Sequence, residues 1–270
     1  MVLGANRWGK SEIRVSKVFR GGDGDDFIDL TVQVLLEGDV ASAYTEGDNA
    51  GVVPTDTMRN TVFGMAQDHL TRDLERFGVQ LCEHFLGKRG VDQADVTLSE
   101  RIWSRATGNG FVGGGSERRV ARVSRGSVDS TSAGVEGLVV LKTGGSAFEG
   151  FPKDGFTILP ETNDRVLATS VTADWEYTTI PDDTTATWDL ARSVLIERFF
   201  ADWSASVQHQ GYLMGEAVLA AVDEIAEISL RLPNQHHLSF DLTRFDMEWE
   251  GTVFHPVSEP YGDIYLTVTR

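Results

Sequence analysis

The chemistry-bearing stretch that stands out first in this chain of 270 residues is its start. Gly4–Ser11 reads GANRWGKS and matches G-x-x-x-x-G-K-[ST], the loop that wraps phosphates with backbone N–H groups and a lysine. Such a loop needs a buried strand before it and a helix after it, because the helix N-terminus supplies free donors and a favourable dipole. Only Met1–Leu3 precede Gly4, and Ser11-Glu12-Ile13-Arg14-Val15-Ser16 alternates polar and apolar as a strand does. The context argues against a nucleotide and leaves Lys10 at the start of a strand. A second match, G-x-G-x-x-G over Gly108–Gly113, fails in the same way. Alternating Arg119-Val120-Ala121-Arg122-Val123 follows it, whereas a dinucleotide loop must open a helix. A hairpin loop over Gly108–Gly115 is expected instead.

The elements that must position Lys10 and any partners follow from patterning. Residues 11–37 form an expected β-hairpin: Ile13 and Val15 alternate, Gly21-Gly22-Asp23-Gly24-Asp25-Asp26 is turn chemistry, and Ile28, Leu30, Val32, Val34 and Leu36 share one face. That acidic turn lacks the spacing and distal Glu of an EF-hand, so it is a solvated turn and not a calcium loop. Pro54 ends an extended segment, and Thr55 and Asp56 are N-cap candidates for a helix carrying Met58, Val62, Met65 and Ala66. A second helical run bears Leu74, Phe77, Leu81, Cys82 and Phe85 and stops at Gly87. The second half repeats the order. Arg165–Tyr177 is a strand, Trp188–Phe199 a helical stripe, and Ser204-Ala205-Ser206 caps a helix with Tyr212, Leu213 and Ala217. Extended Glu227–Asp241, broken at Leu232-Pro233-Asn234, precedes a last strand over Ile264–Val268. Strand, two helices, strands, twice over, predicts an α+β protein with antiparallel sheets and paired helices on one face. The boundary falls at residue 144/145, giving domains 1–144 and 145–270.

Composition narrows the function. The formal charge of −17 argues against a nucleic-acid partner, whose phosphates would be repelled. No apolar run reaches the length of a membrane span. The single cysteine, Cys82, excludes an intrachain disulfide and a Cys-rich metal site. The start of the chain lacks signal-peptide character and Leu266–Arg270 lacks a Ser-Lys-Leu address, so a cytoplasmic location is expected.

Four segments carry polar residues that the fold alone does not demand. They are Trp8-Gly9-Lys10-Ser11; Val53-Pro54-Thr55-Asp56-Thr57-Met58-Arg59-Asn60-Thr61; Phe148-Glu149-Gly150-Phe151 with Asp164-Arg165; and Ser206-Val207-Gln208 with Leu232-Pro233-Asn234-Gln235-His236-His237. In this order and combination the chain resembles the urate oxidase (uricase) family over nearly its whole length. The resemblance implies two tandem T-fold domains in a homotetramer around a tunnel, with active sites at subunit interfaces. It implies a cofactor-independent oxidoreductase of purine catabolism that turns urate, O2 and water into 5-hydroxyisourate and H2O2, with no cofactor and no metal. It places substrate contacts on Phe148, Arg165, Val207, Gln208 and Asn234, with Thr55 and Asp56 contributed by a neighbouring subunit, and a proton relay on Lys10, Thr55 and His236.

Each residue type fits its implied task, and each has a plainer alternative. The planar fork of Arg165 suits an anionic ring edge, or a salt bridge with Asp164 or Glu161. Gln208 offers both donor and acceptor, and the Val207 N–H is free if it opens a helix. Phe148 can stack on a purine or pack in a core. Asn234 and His236, two apart on an extended segment, face one side, and His237 faces the other as a structural residue. No H-E-x-x-H or spaced His/Cys set is present, which argues against a metal. Thr55 is either a cap or a ligand. Lys10 is an exposed lysine or, stripped of water beside the substrate, a base. The competing functions are a T-fold enzyme acting on another purine or a pterin, and a non-catalytic purine-binding homologue.

Overall fold

The computed structural model describes all residues except Gly22, Asp23 and Asp202. The middle of the acidic turn at 21–26 therefore lies outside the described residues. In chain order the elements are β1 (Trp8–Phe19), β2 (Asp26–Glu37), α1 (Ala41–Thr45), α2 (Thr55–His69), α3 (Leu74–Leu86), β3 (Gln93–Arg105), β4 (Phe111–Gly126) and β5 (Ser130–Lys142). They continue with β6 (Leu167–Tyr177), α4 (Thr184–Ala201), α5 (Val207–Ala221), β7 (Ile225–Ser239) and β8 (Phe254–Thr269). The strands hydrogen bond in sequence order, β1 to β8. The pairs β1/β2, β2/β3, β3/β4 and β7/β8 are antiparallel. The α+β class expected from the patterning is the one observed.

The chain forms two compact units, Met1–Val135 with Trp175–Trp188, and Glu136–Asp174 with Asp189–Arg270. In the first unit, period-two alternation on β2 drives Ile28, Leu30, Val32, Val34 and Leu36 out of solvent altogether. They share one core with Met58 and Val62 of α2 and with Phe77, Leu81 and Phe85 of α3. Burying each such side chain contributes about 1.5–3 kcal/mol. Asp73 caps α3 by accepting from the Arg76 N–H at 2.9 Å. On α3, Gly78 lets the helix sit close on the sheet: a Cβ there would come within 2.7 Å of the Val123 side chain. The Lys17 ammonium, on β1, donates to the carbonyls of Ala66, Gln67 and Leu70 at 2.8–3.0 Å. It thereby satisfies the open C-terminus of α2 and ties that helix to β1.

In the second unit, α5 lies equally close on β7 and β8. A Cβ at Gly211 would come within 2.7 Å of Leu232 and 2.8 Å of Leu266, and one at Gly215 within 2.7 Å of Val268. Ser206 caps α5, its hydroxyl accepting from the His209 N–H at 3.1 Å. Ser204-Ala205-Ser206 does supply the cap that its sequence promised.

Four local expectations need correction. Pro54, not Thr55 or Asp56, occupies the cap position of α2, and it offers no side-chain cap. The pair Thr55 and Asp56 are instead the first two residues of the helix. Pro233 does not break the extended segment: β7 runs through it, with Pro233 opposite Asp263. The last strand starts ten residues before Ile264, at Phe254. The Gly108–Gly115 hairpin loop is shorter than expected, because β4 already begins at Phe111 and Gly113 pairs with Trp103.

Candidate active site

Six of the nine residues singled out from the sequence meet in one cavity of the second unit. It has a volume of about 780 Å³, and its walls include Phe148, Arg165, Val207, Gln208, Asn234 and His236. The close seat of α5 explains how Val207 gets there. Gly211 rests on Leu232 of β7, and Val207 lies one helical turn before Gly211, over the stretch of β7 that carries Asn234. The N–H groups of Val207 and Gln208 open the helix and have no partner within it, and both residues line the cavity. The Gln208 side chain is exposed there.

Asn234 is 8% exposed, and its amide nitrogen lies 3.4 Å from His236 Nδ1. Their shared side follows from strand periodicity. The β7/β8 register then slips: Asn234 pairs with Gly262 and His236 with Val257, so Ser258–Tyr261 leave the ladder opposite Gln235. With alternation interrupted there, His237 also lines the cavity, against the expectation that it faces away. Its Nδ1 lies 3.2 Å from the Gln235 carbonyl oxygen.

Arg165 is half-buried just ahead of β6, with its carbon Cζ 5.4 Å from the centre of the Phe148 ring. Neither of the carboxylates that were its alternative partners pairs with it. Asp164 accepts the Gly145 N–H at 2.6 Å, and Glu161 holds Lys153 at 3.1 Å and the Gly150 N–H at 3.1 Å. Arg165 Nε is buried without a hydrogen-bond partner. Burial lowers its pKa from the ordinary value without neutralising it. Burial and, secondly, the Arg165 charge hold the His236 imidazole below its ordinary value. The cavity thus combines a desolvated, unneutralised cation with a neutral imidazole, a primary amide and a helix N-terminus. Such a set of groups is chemically suited to a planar anion presenting several hydrogen-bonding edges.

Phe148 is fixed at the backbone: its N–H donates to the Thr162 carbonyl at 2.7 Å, and the Thr162 N–H returns to Phe148 at 3.1 Å. Its ring stacks on Phe151, centroids 4.9 Å apart and planes 15° from parallel. Leu159, Trp249 and Phe254 add apolar surface to the wall. Sequence reasoning missed these because they lie on or beside irregular connections, where no period announces a facing direction.

Lys10, Thr55 and Asp56 belong to the first unit and none of them lines this cavity. Lys10 is half-buried on β1 opposite Val34. Immediately after it the register slips, so that Ser11 and Glu12 oppose Gln33 alone, with Glu12 at φ 56°. The Gln33 side chain steadies this bulge by donating to the Ser11 hydroxyl at 2.8 Å. Gly9 serves packing: a Cβ there would overlap the Val34 carbonyl, whereas one at Gly4 would meet nothing. The apparent phosphate loop is thus a strand entry. Thr55 and Asp56 are exposed at the head of α2. Asp56 pairs with Arg59 at 2.7 Å and accepts from Asn60 at 3.0 Å. Among the described residues no group of three or more His, Cys, Asp or Glu side chains is placed to hold a metal ion.

The family model described as Uricase matches residues 6–124 and 131–265. A uricase of Arthrobacter globiformis is 40% identical over 274 residues, covering 100% of this chain and 90% of its own. A uricase of Dictyostelium discoideum is 37% identical over 276 residues, covering 98% and 96%. The crystal structure of uricase from Arthrobacter globiformis superposes with a TM-score of 0.96 at 40% identity, covering 100% of this chain and 95% of the other. The match runs through both units and includes every one of the nine residues discussed above: the chain belongs to the uricase family.

Proposed function

We propose that the protein is a urate oxidase, and that the cavity around Arg165 takes the urate anion. The observation that carries this is Arg165 itself, a desolvated guanidinium that both neighbouring carboxylates leave unpaired. Leaving a cation so costs stability unless an anion fills the place. Urate fits: it is planar and anionic, with donor and acceptor edges for Arg165, Gln208 and the Val207 N–H and a flat face for Phe148. Asn234, together with Thr55 of a neighbouring subunit, holds O2 and then water above the ring.

The remaining residues complete the account as parts of an assembly. The chain folds as tandem T-folds, 1–144 and 145–270, and associates as a homotetramer around a tunnel. Strands β1 and β8 end the strand order, each with one side unpaired, which favours pairing with further copies. Thr55 and Asp56 of a neighbouring subunit close the site, offering the unpaired Thr55 hydroxyl and the N–H groups that open α2. Lys10, Thr55 and His236 pass on the second proton of urate. The dianion is electron-rich enough to reduce O2 by one electron, and the radical pair recombines as a C5 hydroperoxide. Loss of H2O2 and addition of water give 5-hydroxyisourate, so urate, O2 and H2O balance the two products. The protein supplies orientation and proton handling, and the substrate's own electrons do the work a cofactor otherwise does.

The test is aerobic urate with chelator-treated protein, following urate absorbance together with H2O2. One H2O2 per urate consumed supports the proposal. No turnover under chelator removes cofactor independence, and no turnover even without chelator removes the function.

A further inference from the structure

The cavity that presents Arg165 also contains a carboxylate, Glu161, in its wall. In a site for an anion this is a hazard twice over. A free Glu161 could occupy the guanidinium in place of the substrate, and its charge would repel the substrate. The structure shows what prevents this. Glu161 Oε1 accepts from the Lys153 ammonium at 3.1 Å and from the Gly150 N–H at 3.1 Å. Gly150 sits at φ 71°, the left-handed region that turns its N–H back toward Glu161. Lys153 is held in turn, with its Nζ 5.5 Å from the centre of the Phe151 ring, and Phe151 stacks on Phe148. The strap 148–162 is closed by the Phe148–Thr162 backbone pair. Arg165, Phe148, Phe151, Lys153 and Glu161 therefore form one continuous chain of contacts, with the carboxylate at the far end from the guanidinium.

We propose that Lys153 is a positioning residue for anion binding: it neutralises Glu161 and holds it off Arg165, so that the guanidinium stays open to urate. The inference rests on the proposed urate site. It explains why Glu161 is withdrawn from Arg165, and it gives Phe151 a task as the ring on which Lys153 rests. Glu161 is held below its ordinary carboxylate pKa, first by Lys153 and then by the Gly150 N–H, so it keeps a full charge that needs this partner.

The pair is partly solvated, with side-chain exposures of 56% and 39%, which limits its worth to that of a surface ion pair. Lys153→Met is therefore expected to raise KM for urate up to about fivefold, with kcat within about twofold. Lys153→Met/Glu161→Gln should return KM to near the wild-type value, because no charge is then left to restrain. A merely structural Lys153 predicts no such rescue. An unchanged KM in the single variant, or a double variant as impaired as the single, overturns the inference. Circular dichroism and thermal melting of each variant identify misfolding, and if Lys153→Met misfolds, Lys153→Gln takes its place. Failure of the urate site itself would show separately, as wild-type protein that neither binds nor turns over urate.

Discussion

Arg165 lies 5.4 Å from the centre of the Phe148 ring while Asp164 and Glu161, the two carboxylates beside it in sequence, are both bonded elsewhere. The contact orients a planar fork over an aromatic face with its donors left for a ligand. A lysine keeps the charge but loses the fork. Arg165→Lys is expected to raise KM for urate about tenfold, as one charge-assisted hydrogen bond of the pair is lost. Steady-state kinetics check it, and an unchanged KM would show that only charge matters there.

The His236 imidazole is depressed by burial and by Arg165, and the sign of its effect on stability follows. The folded state favours the neutral ring. Stability is complete above the unfolded imidazole value of about 6.5 and falls as pH drops through it toward the folded value, because the unfolded chain takes up the proton first. Thermal melting between pH 8 and pH 5 should fall more steeply for wild type than for His236→Gln. Equal slopes would mean that His236 is not held neutral. Bound urate would offset the Arg165 charge and raise the imidazole again, so an NMR titration should move upward on adding a purine anion.

Two glycines of the same apparent phosphate loop should behave oppositely. Gly9→Ala drives a Cβ into the Val34 carbonyl beside the Lys10 bulge and should cost about 3 kcal/mol in denaturant unfolding. Gly4→Ala meets nothing and should be neutral. Equal effects would contradict the strand-entry account.

A site shared between subunits can be repaired by mixing. Thr55→Val and Arg165→Gln are each expected to lose most activity. Coexpressed, they should recover about a quarter of it, since half of random pairs are mixed and one site in two is then intact. No recovery would place Thr55 and Arg165 of one chain in the same site.

Much of this fold was legible, because strong periods leave little choice. Alternation on β2 and the helical stripe of α3 specify buried faces that no other packing satisfies. Asn234 and His236 were legible for the same reason. His237 was not, because a register slip at Gln235 overrides the alternation that would have turned it away. The helix start at Thr55 was misplaced by one residue, since Pro54 fixes the cap geometry without offering a side-chain acceptor. Trp249 and Leu159 had no signal at all: what brings them to the cavity is the path of irregular chain, set by tertiary contacts. The pairing of Glu161 with Lys153 instead of Arg165 could not be chosen from sequence either, because both cations lie within eight residues of it and spacing does not decide between them.

The central claim is that the unpaired Arg165 receives the urate anion, and anaerobic binding tests it without turnover. Isothermal titration of urate into wild-type protein and Arg165→Gln, with O2 removed, compares the two affinities. Loss of the guanidinium should weaken binding by about 2–3 kcal/mol, roughly 30- to 150-fold. Equal affinity in a folded Arg165→Gln variant would contradict the account.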